Sequence, residues 1–384
     1  MTIVRARLFS VALPLREPFT ISGGTLTTRV SLIVELTDAE GNRGYGESAP
    51  FALPFYSSET IASARACLND LLLPAVIRTP LTTPGDCRGR LDDIARGNRM
   101  AKAGVETAWW DLCAARGRTT LAALVGRRLE ELGVSDEWRV RRGTINCGVA
   151  LGIPPAQDGA VLREWVREAL ARGYRRVKIK IRPGWDEEPV RIAQSEIRRA
   201  VATVPLWVDA NGSYVWERDQ KALRALDDLE LLFIEQPLAE DALWDSLALA
   251  RMLATPICLD ETLVSDSLAR QVIEMGGPRI WNIKIQRVGG LEEACRIYAR
   301  AVRSGVSLWG GTMPETGLGA QAMLALGDFA GFVYPSDIEP SDRWYETGAD
   351  LVELQMTADG IMKVPVARPT FDIEQRAVLL AEMV

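Results

Sequence analysis

The chain has 384 residues, 47% of them hydrophobic and 25% charged, with a net charge of −6 and no histidine. That length exceeds one ordinary core, so two domains are the starting expectation. The acidic balance argues against nucleic acid or an anionic membrane as partner, and no apolar run is long enough to span a bilayer; without histidine, proton transfer falls to Lys, Asp, Glu, Tyr or Cys. In chain order, residues 3–15, 27–38 and 41–50 read as antiparallel strands, with hairpin chemistry in the turn from Asp38 to Asn42. The opening MTIVRARLFSVALPL alternates like a strand and lacks the apolar region of a signal peptide. The six cysteines are scattered without C-x-x-C spacing, so a reduced, cytoplasmic protein is expected. Residues 59–77 and roughly 86–126 have helical composition, which gives an α+β domain over 1–130.

From about residue 143 short β-branched runs alternate with amphipathic helices. The runs are GTINCGV, RVKIKI, LWVDA, LLFIEQ, PICLDE, RIWNIKI, VSLWGG and GFVYPS. Eight runs with seven intervening helices fit a barrel over 131–343. A doubly wound sheet is the alternative, but its ligand site lies at one switch point rather than on every strand end. The tail, 344–384, is again strand-like and is expected to return to the first domain. The expected fold class is therefore α/β: a modified TIM barrel, (β/α)7β, under an α+β capping domain completed by the C-terminal segment.

Asp209, Glu235 and Asp260 end three consecutive runs, 26 and 25 residues apart, and Lys284 follows 24 residues later. Lys178 and Lys180, in VKIKI, precede Asp209 by 31 and 29 residues. A repeat of this length is one strand plus one helix, and a parallel barrel gathers all its strand ends on one face. Oxygen-only donors suit Mg²⁺ or Mn²⁺, and octahedral Mg²⁺ leaves positions for water and a substrate carboxylate. Singly, each acid also reads as a helix cap or solvated loop residue. Three in succession at the ends of apolar runs favour the metal site. Lys178 and Lys180 alternate with Val177, Ile179 and Ile181, so both point into the barrel mouth. Desolvation, a neighbouring ammonium and a cation are each expected to lower a lysine pKa towards the range of a general base. The second and sixth strands of an eight-stranded barrel are opposite, so Lys180 and Lys284 would address opposite faces of one substrate. Abstraction of an α-proton from a metal-bound carboxylate gives an enediolate. Two bases permit racemisation; one permits β-elimination.

VKIKI, VDAN, IEQP, LDET and NIKI, in this order and spacing, resemble the enolase superfamily, muconate-lactonising-enzyme subgroup. LPFYSSET at 53–60 is similar to the substrate-capping loop of o-succinylbenzoate synthases and N-succinylamino acid racemases. WGGTMPETGLG at 309–319 and PSDIEPSDRWY at 335–345 resemble the same group. The resemblance implies Asp209, Glu235 and Asp260 as Mg²⁺ ligands, Lys180 and Lys284 as bases, and Lys178 as an auxiliary lysine near the substrate carboxylate. It also implies a small-molecule carboxylate substrate and a homo-oligomer, working in menaquinone synthesis or amino-acid metabolism. The lack of histidine excludes the His–Asp arrangement of mandelate racemases, and the eighth run lacks the D-x-D of dipeptide epimerases. Weaker substrate-binding candidates are Asn211 and Glu261 beside the metal acids, Glu315 and Asp337 past the seventh and eighth runs, Ser22 in a small-residue loop, and Phe55 and Tyr56 in the next loop. Glu261 is also expected as a partner for Lys284; turn formation for Asn211 and helix capping for Glu261 are the rival roles. Rival functions are a muconate-type cycloisomerase, a dipeptide epimerase, a Schiff-base aldolase using Lys178 or Lys284, and an inactive barrel. Three metal acids argue against the aldolase.

Overall fold

Alternating apolar residues build the first sheet of the computed structural model, which describes residues 2–384. Strands β1 (Ile3–Thr20) and β2 (Thr25–Asp38) pair antiparallel, with Ala6 opposite Leu36 and Leu8 opposite Val34. Strand β3 (Arg43–Ser48) adds to the far edge of β2. The turn between β2 and β3 is made by Asp38, whose Oδ1 accepts from the Glu40 and Asn42 amides at 3.1 and 2.8 Å.

The helical stretches are more broken than composition suggests. Residues 59–77 form Ile61–Cys67, one wide turn at Leu68–Leu72, and Leu73–Val76. Residues 84–131 form three helices, Pro84–Ile94, Arg99–Arg116 and Leu121–Glu131. Left-handed backbone at Gly97 and Asn98 separates the first pair, and the Thr120 hydroxyl starts the third by accepting from the Ala123 amide. Arg99–Arg116 lies so close on β3 that a methyl group on Gly46 would sit 2.2 Å from the Gly104 carbonyl oxygen. Only glycine permits that approach.

The runs from residue 143 form β4 (Thr144–Asn146), β5 (Val149–Leu151), β6 (Val177–Lys180), β7 (Leu206–Asp209), β8 (Ile234–Glu235), β9 (Ile257–Leu259), β10 (Ile280–Ile283) and β11 (Ser307–Gly310). Strands β5 to β11 form one parallel sheet in sequence order. The eighth expected run, GFVYPS, forms no regular strand, and its Pro335 has no N–H to give. The run and the residue after it still bond on both sides: Val333 and Asp337 donate to Leu308 and Gly310, Ser336 donates to Asn146, and Gly148 donates back to Ser336. The tail first meets the barrel, where β12 (Ile361–Lys363) pairs with β4. It then reaches the first sheet, where β13 (Val378–Met383) pairs with β1 and gives the order β13-β1-β2-β3.

Buried polar groups dock the cap on the barrel. Gln286 Nε2 donates to the Glu47 carbonyl at 2.7 Å, and its Oε1 accepts from the Ala49 amide at 3.0 Å. Glu106, on the long cap helix, accepts from the Leu291 and Glu292 amides and so caps a barrel helix, Leu291–Arg303.

Candidate active site

Residues two apart on a strand share a face, so the barrel interior is built in layers. The lower layer holds Trp207, Phe233, Cys258 and Trp309, all fully buried and packed together. One step up, the same strands or their ends present Asp209, Glu235, Asp260 and Gly311. Strand β6 and the residue before it contribute Arg176, Lys178 and Lys180 in succession, while Val177, Ile179 and Ile181 are fully buried on the helix side. Register fixes the neighbours: Lys180 lies opposite Asp209, and Asp209 opposite Glu235.

Asp209, Glu235 and Asp260 are fully buried and each offers an oxygen within 4.8 Å of the other two. Three hard carboxylate donors at that spacing suit a hard divalent cation such as Mg²⁺ or Mn²⁺. Burial pushes the Glu235 carboxyl well above its ordinary range, with Asp209 adding to the effect. Burial acts the same way on Asp209 and Asp260, but the lysines around Asp209, and Lys284 with Arg287 around Asp260, outweigh it and hold both carboxyls low.

Lys178 Nζ lies 2.5 Å from Asp337 and 3.3 Å from both Asp209 and Glu235, and 4.7 Å from the centre of the Trp309 ring. Lys180 Nζ donates to Asp209 at 2.6 Å and to Asn211 Oδ1 at 2.9 Å. Lys284 Nζ donates to Asp260 at 2.7 Å and meets the Tyr56 hydroxyl at 3.1 Å. The protein's own groups do not depress the pKa of Lys178 or Lys284. Burial does lower both, but Asp337, Glu235 and Asp209 around Lys178, and Asp260, Tyr56 and Glu261 around Lys284, more than reverse it. The carboxylates that hold these ammonium groups are largely those suited to a cation.

Above this layer opens a cavity of about 470 Å³. Lys178, Lys180, Asn211, Lys284, Asp337 and Tyr56 line its polar side, and Phe19, Ile21, Phe51 and Trp344 its apolar side. Its walls thus come from both the cap and the barrel. A larger recess of about 630 Å³ lies between Tyr45, Leu318 and Phe371. Its carboxylate, Asp111, is already paired with Arg368, and no lysine lines it.

Four of the expected substrate-binding residues stand off this cavity's wall. Ser22 is off the cavity wall, where its neighbour Ile21 stands. Phe55 stacks on Phe51 at 4.7 Å and packs against Gly24, tying two cap loops together. Glu261 is buried and accepts from Asn211 Nδ2 at 2.9 Å, so its hydrogen bond anchors the partner of Lys180, and it acts on Lys284 by charge. Burial and the charges of Asp260 and Asp209 push its carboxyl up to about 7. Glu315 faces an adjoining buried pocket and accepts from Gln286 at 3.3 Å.

Sequence reasoning missed two arginines. Arg287 holds Asp260, Asn282 and the Leu263 carbonyl. Arg176 pairs with Asp337 and stacks 4.2 Å from the Trp207 ring centre. Arg176 carried a signal, since it opens the same alternation as Lys178 and Lys180. Asn211 and Gln236, which follow two acids of the triad, have φ of 44° and 36°, a strained backbone of the kind that gathers at functional sites.

Residues 3–126 match the family Mandelate racemase / muconate lactonizing enzyme, N-terminal domain, and residues 161–369 match Enolase C-terminal domain-like. The chain is 39% identical over 365 residues to an o-succinylbenzoate synthase of Geobacillus kaustophilus, covering 95% of this chain and 92% of that one. It is also 39% identical over 369 residues to an N-succinylamino acid racemase of Thermus thermophilus, covering 95% and 93%. A solved enolase-superfamily protein of Listeria innocua superposes with a TM-score of 0.86 at 32% identity, covering 100% of this chain and 98% of that one. No helix among the described residues is long and apolar enough to cross a membrane.

Proposed function

The chain belongs to the enolase superfamily, and from that premise we propose that it removes the proton α to the carboxylate of a small N-acylamino acid and returns one on the opposite face. It is an enzyme of the lyase and isomerase branch of that superfamily. The observation that carries this reading is the placement of the lysines. Lys180 and Lys284 stand at the ends of the second and sixth strands of the ring, line one cavity, and flank the same three carboxylates. Two amines on opposite sides of one carbon are what a 1,1-proton transfer needs.

Asp209, Glu235 and Asp260 would hold Mg²⁺ or Mn²⁺, which when bound supplies a positive charge to polarise the substrate carboxylate and offset the charge left by proton loss. Lys178 adds a fixed ammonium group on the same side of the cavity. The apolar wall of Phe19, Ile21 and Trp344 takes the acyl part and excludes water, so the amines exchange protons with the substrate rather than with solvent. Dehydration to o-succinylbenzoate is the second reading, favoured by the relative of that name and by the same site, where one lysine acts as base and the other as a fixed cation.

The test is proton NMR in D₂O with Mg²⁺ and each enantiomer of N-succinylamino acids. Lys180→Ala is expected to abolish α-exchange with one enantiomer and Lys284→Ala with the other, each by about 10²–10⁴-fold. If both variants lose exchange with the same enantiomer and keep it with the other, the opposite-face arrangement is wrong. Trapping of a substrate imine by borohydride would instead establish the aldolase.

A further inference from the structure

Lys180 and Lys284 are held in the same way by different parts of the chain. Each nitrogen has two oxygen partners, one on a carboxylate of the acidic triad and one neutral. For Lys180 they are Asp209 at 2.6 Å and Asn211 at 2.9 Å; for Lys284 they are Asp260 at 2.7 Å and Tyr56 at 3.1 Å. The neutral oxygens differ in origin. Asn211 belongs to the barrel, just after β7, and is anchored there by Glu261 at 2.9 Å. Tyr56 belongs to the cap loop that follows β3. Its ring faces the same lysine, with Nζ 5.0 Å from the ring centre, and packs edge-on against Phe51 at 5.9 Å. Phe51 in turn carries Phe55, against which Gly23 and Gly24 of the other cap loop lie.

A primary amine has three directions available besides its carbon. When two N–H groups point at fixed oxygens, only the third direction remains, and in the neutral amine it carries the lone pair. Both acceptors are therefore needed to aim the lone pair into the cavity. With only Asp260 in place, Lys284 is free to turn about its last bond.

We infer that Tyr56 is a positioning residue for Lys284, and that the two faces of the site are unequal: the Lys180 face is built by the barrel alone, while the Lys284 face is complete only with the cap loop in place. The inference rests on the reading of Lys284 as a base. It makes the cap loop part of the proton-transfer apparatus on one side, beyond any part it takes in choosing substrates.

The test uses the full-length Tyr56→Phe protein, which keeps the ring and loses the oxygen. In the first arm, Lys284→Ala identifies which N-succinylamino acid enantiomer Lys284 serves. In Tyr56→Phe, α-exchange of that enantiomer in D₂O is expected to fall about ten- to a hundredfold, the worth of one hydrogen bond to a charged group. Because Tyr56 lines the cavity for both enantiomers, exchange of the other one serves as the reference, and its loss is expected to be several-fold smaller. The ratio of the two is insensitive to a general loosening of the fold. Equal losses on both faces, or no loss on either, overturn the inference. The second arm needs no substrate: limiting acetic anhydride labels lysines, and peptide mapping compares Lys284 with Lys180. Freed of its second acceptor, Lys284 can turn its lone pair to a small diffusible reagent from more than one direction, though no longer fixed on a bound substrate, and gains reactivity relative to Lys180; an unchanged ratio overturns the inference whatever the reaction proves to be. Absence of any α-exchange in the wild type counts against the proposed function, and the labelling ratio then decides Tyr56 by itself.

Discussion

Replacing Glu235 by Gln separates a metal site from a cluster of ion pairs, because the two predict opposite signs. Asp209, Glu235 and Asp260 are fully buried with oxygens no more than 4.8 Å apart. At an effective dielectric of about 20, two unit charges at that distance repel by about 3.5 kcal/mol, so ionised Glu235 meets about 7 kcal/mol from its two neighbours. Lys178, at 3.3 Å, returns about 5 kcal/mol on the same scale. The ionised form is therefore disfavoured by about 2 kcal/mol before any cost of burial, in line with the raised pKa of Glu235. An uncharged amide of the same shape should cost the metal-free fold little. Glu235→Gln is expected to match the wild type in urea unfolding with EDTA, or to exceed it by up to about 2 kcal/mol. The response to metal reverses the order. A ligand at a hundred times its Kd stabilises the folded state by about 2.7 kcal/mol, a gain expected on titrating the wild type with Mg²⁺ or Mn²⁺ and absent from the variant. The reasoning is refuted if Glu235→Gln loses several kcal/mol without metal while the wild type ignores both cations. The triad would then be an ion-pair cluster around Lys178.

Two further predictions concern the fold around the site. Burial pushes the Glu339 carboxyl up to about 7 from an ordinary 4.5, with Arg343 opposing and Asp337 reinforcing. A carboxyl raised in the folded state stabilises it fully below the unfolded pKa and loses that contribution as pH rises through the folded one. Between pH 4.5 and 7 the wild type should therefore lose up to about 3 kcal/mol relative to Glu339→Gln, read from urea midpoints at pH 5 and 8; a constant gap would show that Glu339 titrates normally. Gly46→Ala places a methyl group 2.2 Å from the Gly104 carbonyl oxygen, and is expected to cost about 3 kcal/mol or more in chemical denaturation. A loss under about 1 kcal/mol would show that the cap helix can move away from β3.

The sequence by itself determined whatever depends on local periodicity. An apolar run ending in Asp or Glu, repeated at the length of one strand plus one helix, places the acids on one face of a parallel barrel, and the alternation in VKIKI turns both lysines inward. Those are properties of pleat and repeat, and they need no knowledge of which elements touch. The family followed from the same residues, since they lie in one order and spacing. Only tertiary structure decided the rest. The eighth run closes the ring without forming a strand, because its pairing depends on the carbonyls of Leu308, Gly310 and Asn146. Glu261 accepts its hydrogen bond from Asn211 and reaches Lys284 by charge, because the turn after β7 brings that amide within reach. The protein's own charges raise the pKa of Lys178 and Lys284, because direction depends on distance: sequence places lysines and carboxylates in one ring, but not the 2.5 Å from Lys178 to Asp337 or the 2.7 Å from Lys284 to Asp260. Tyr56 meets Lys284 across 228 residues of chain, a contact no local pattern encodes, since it arises only when the cap closes on the barrel.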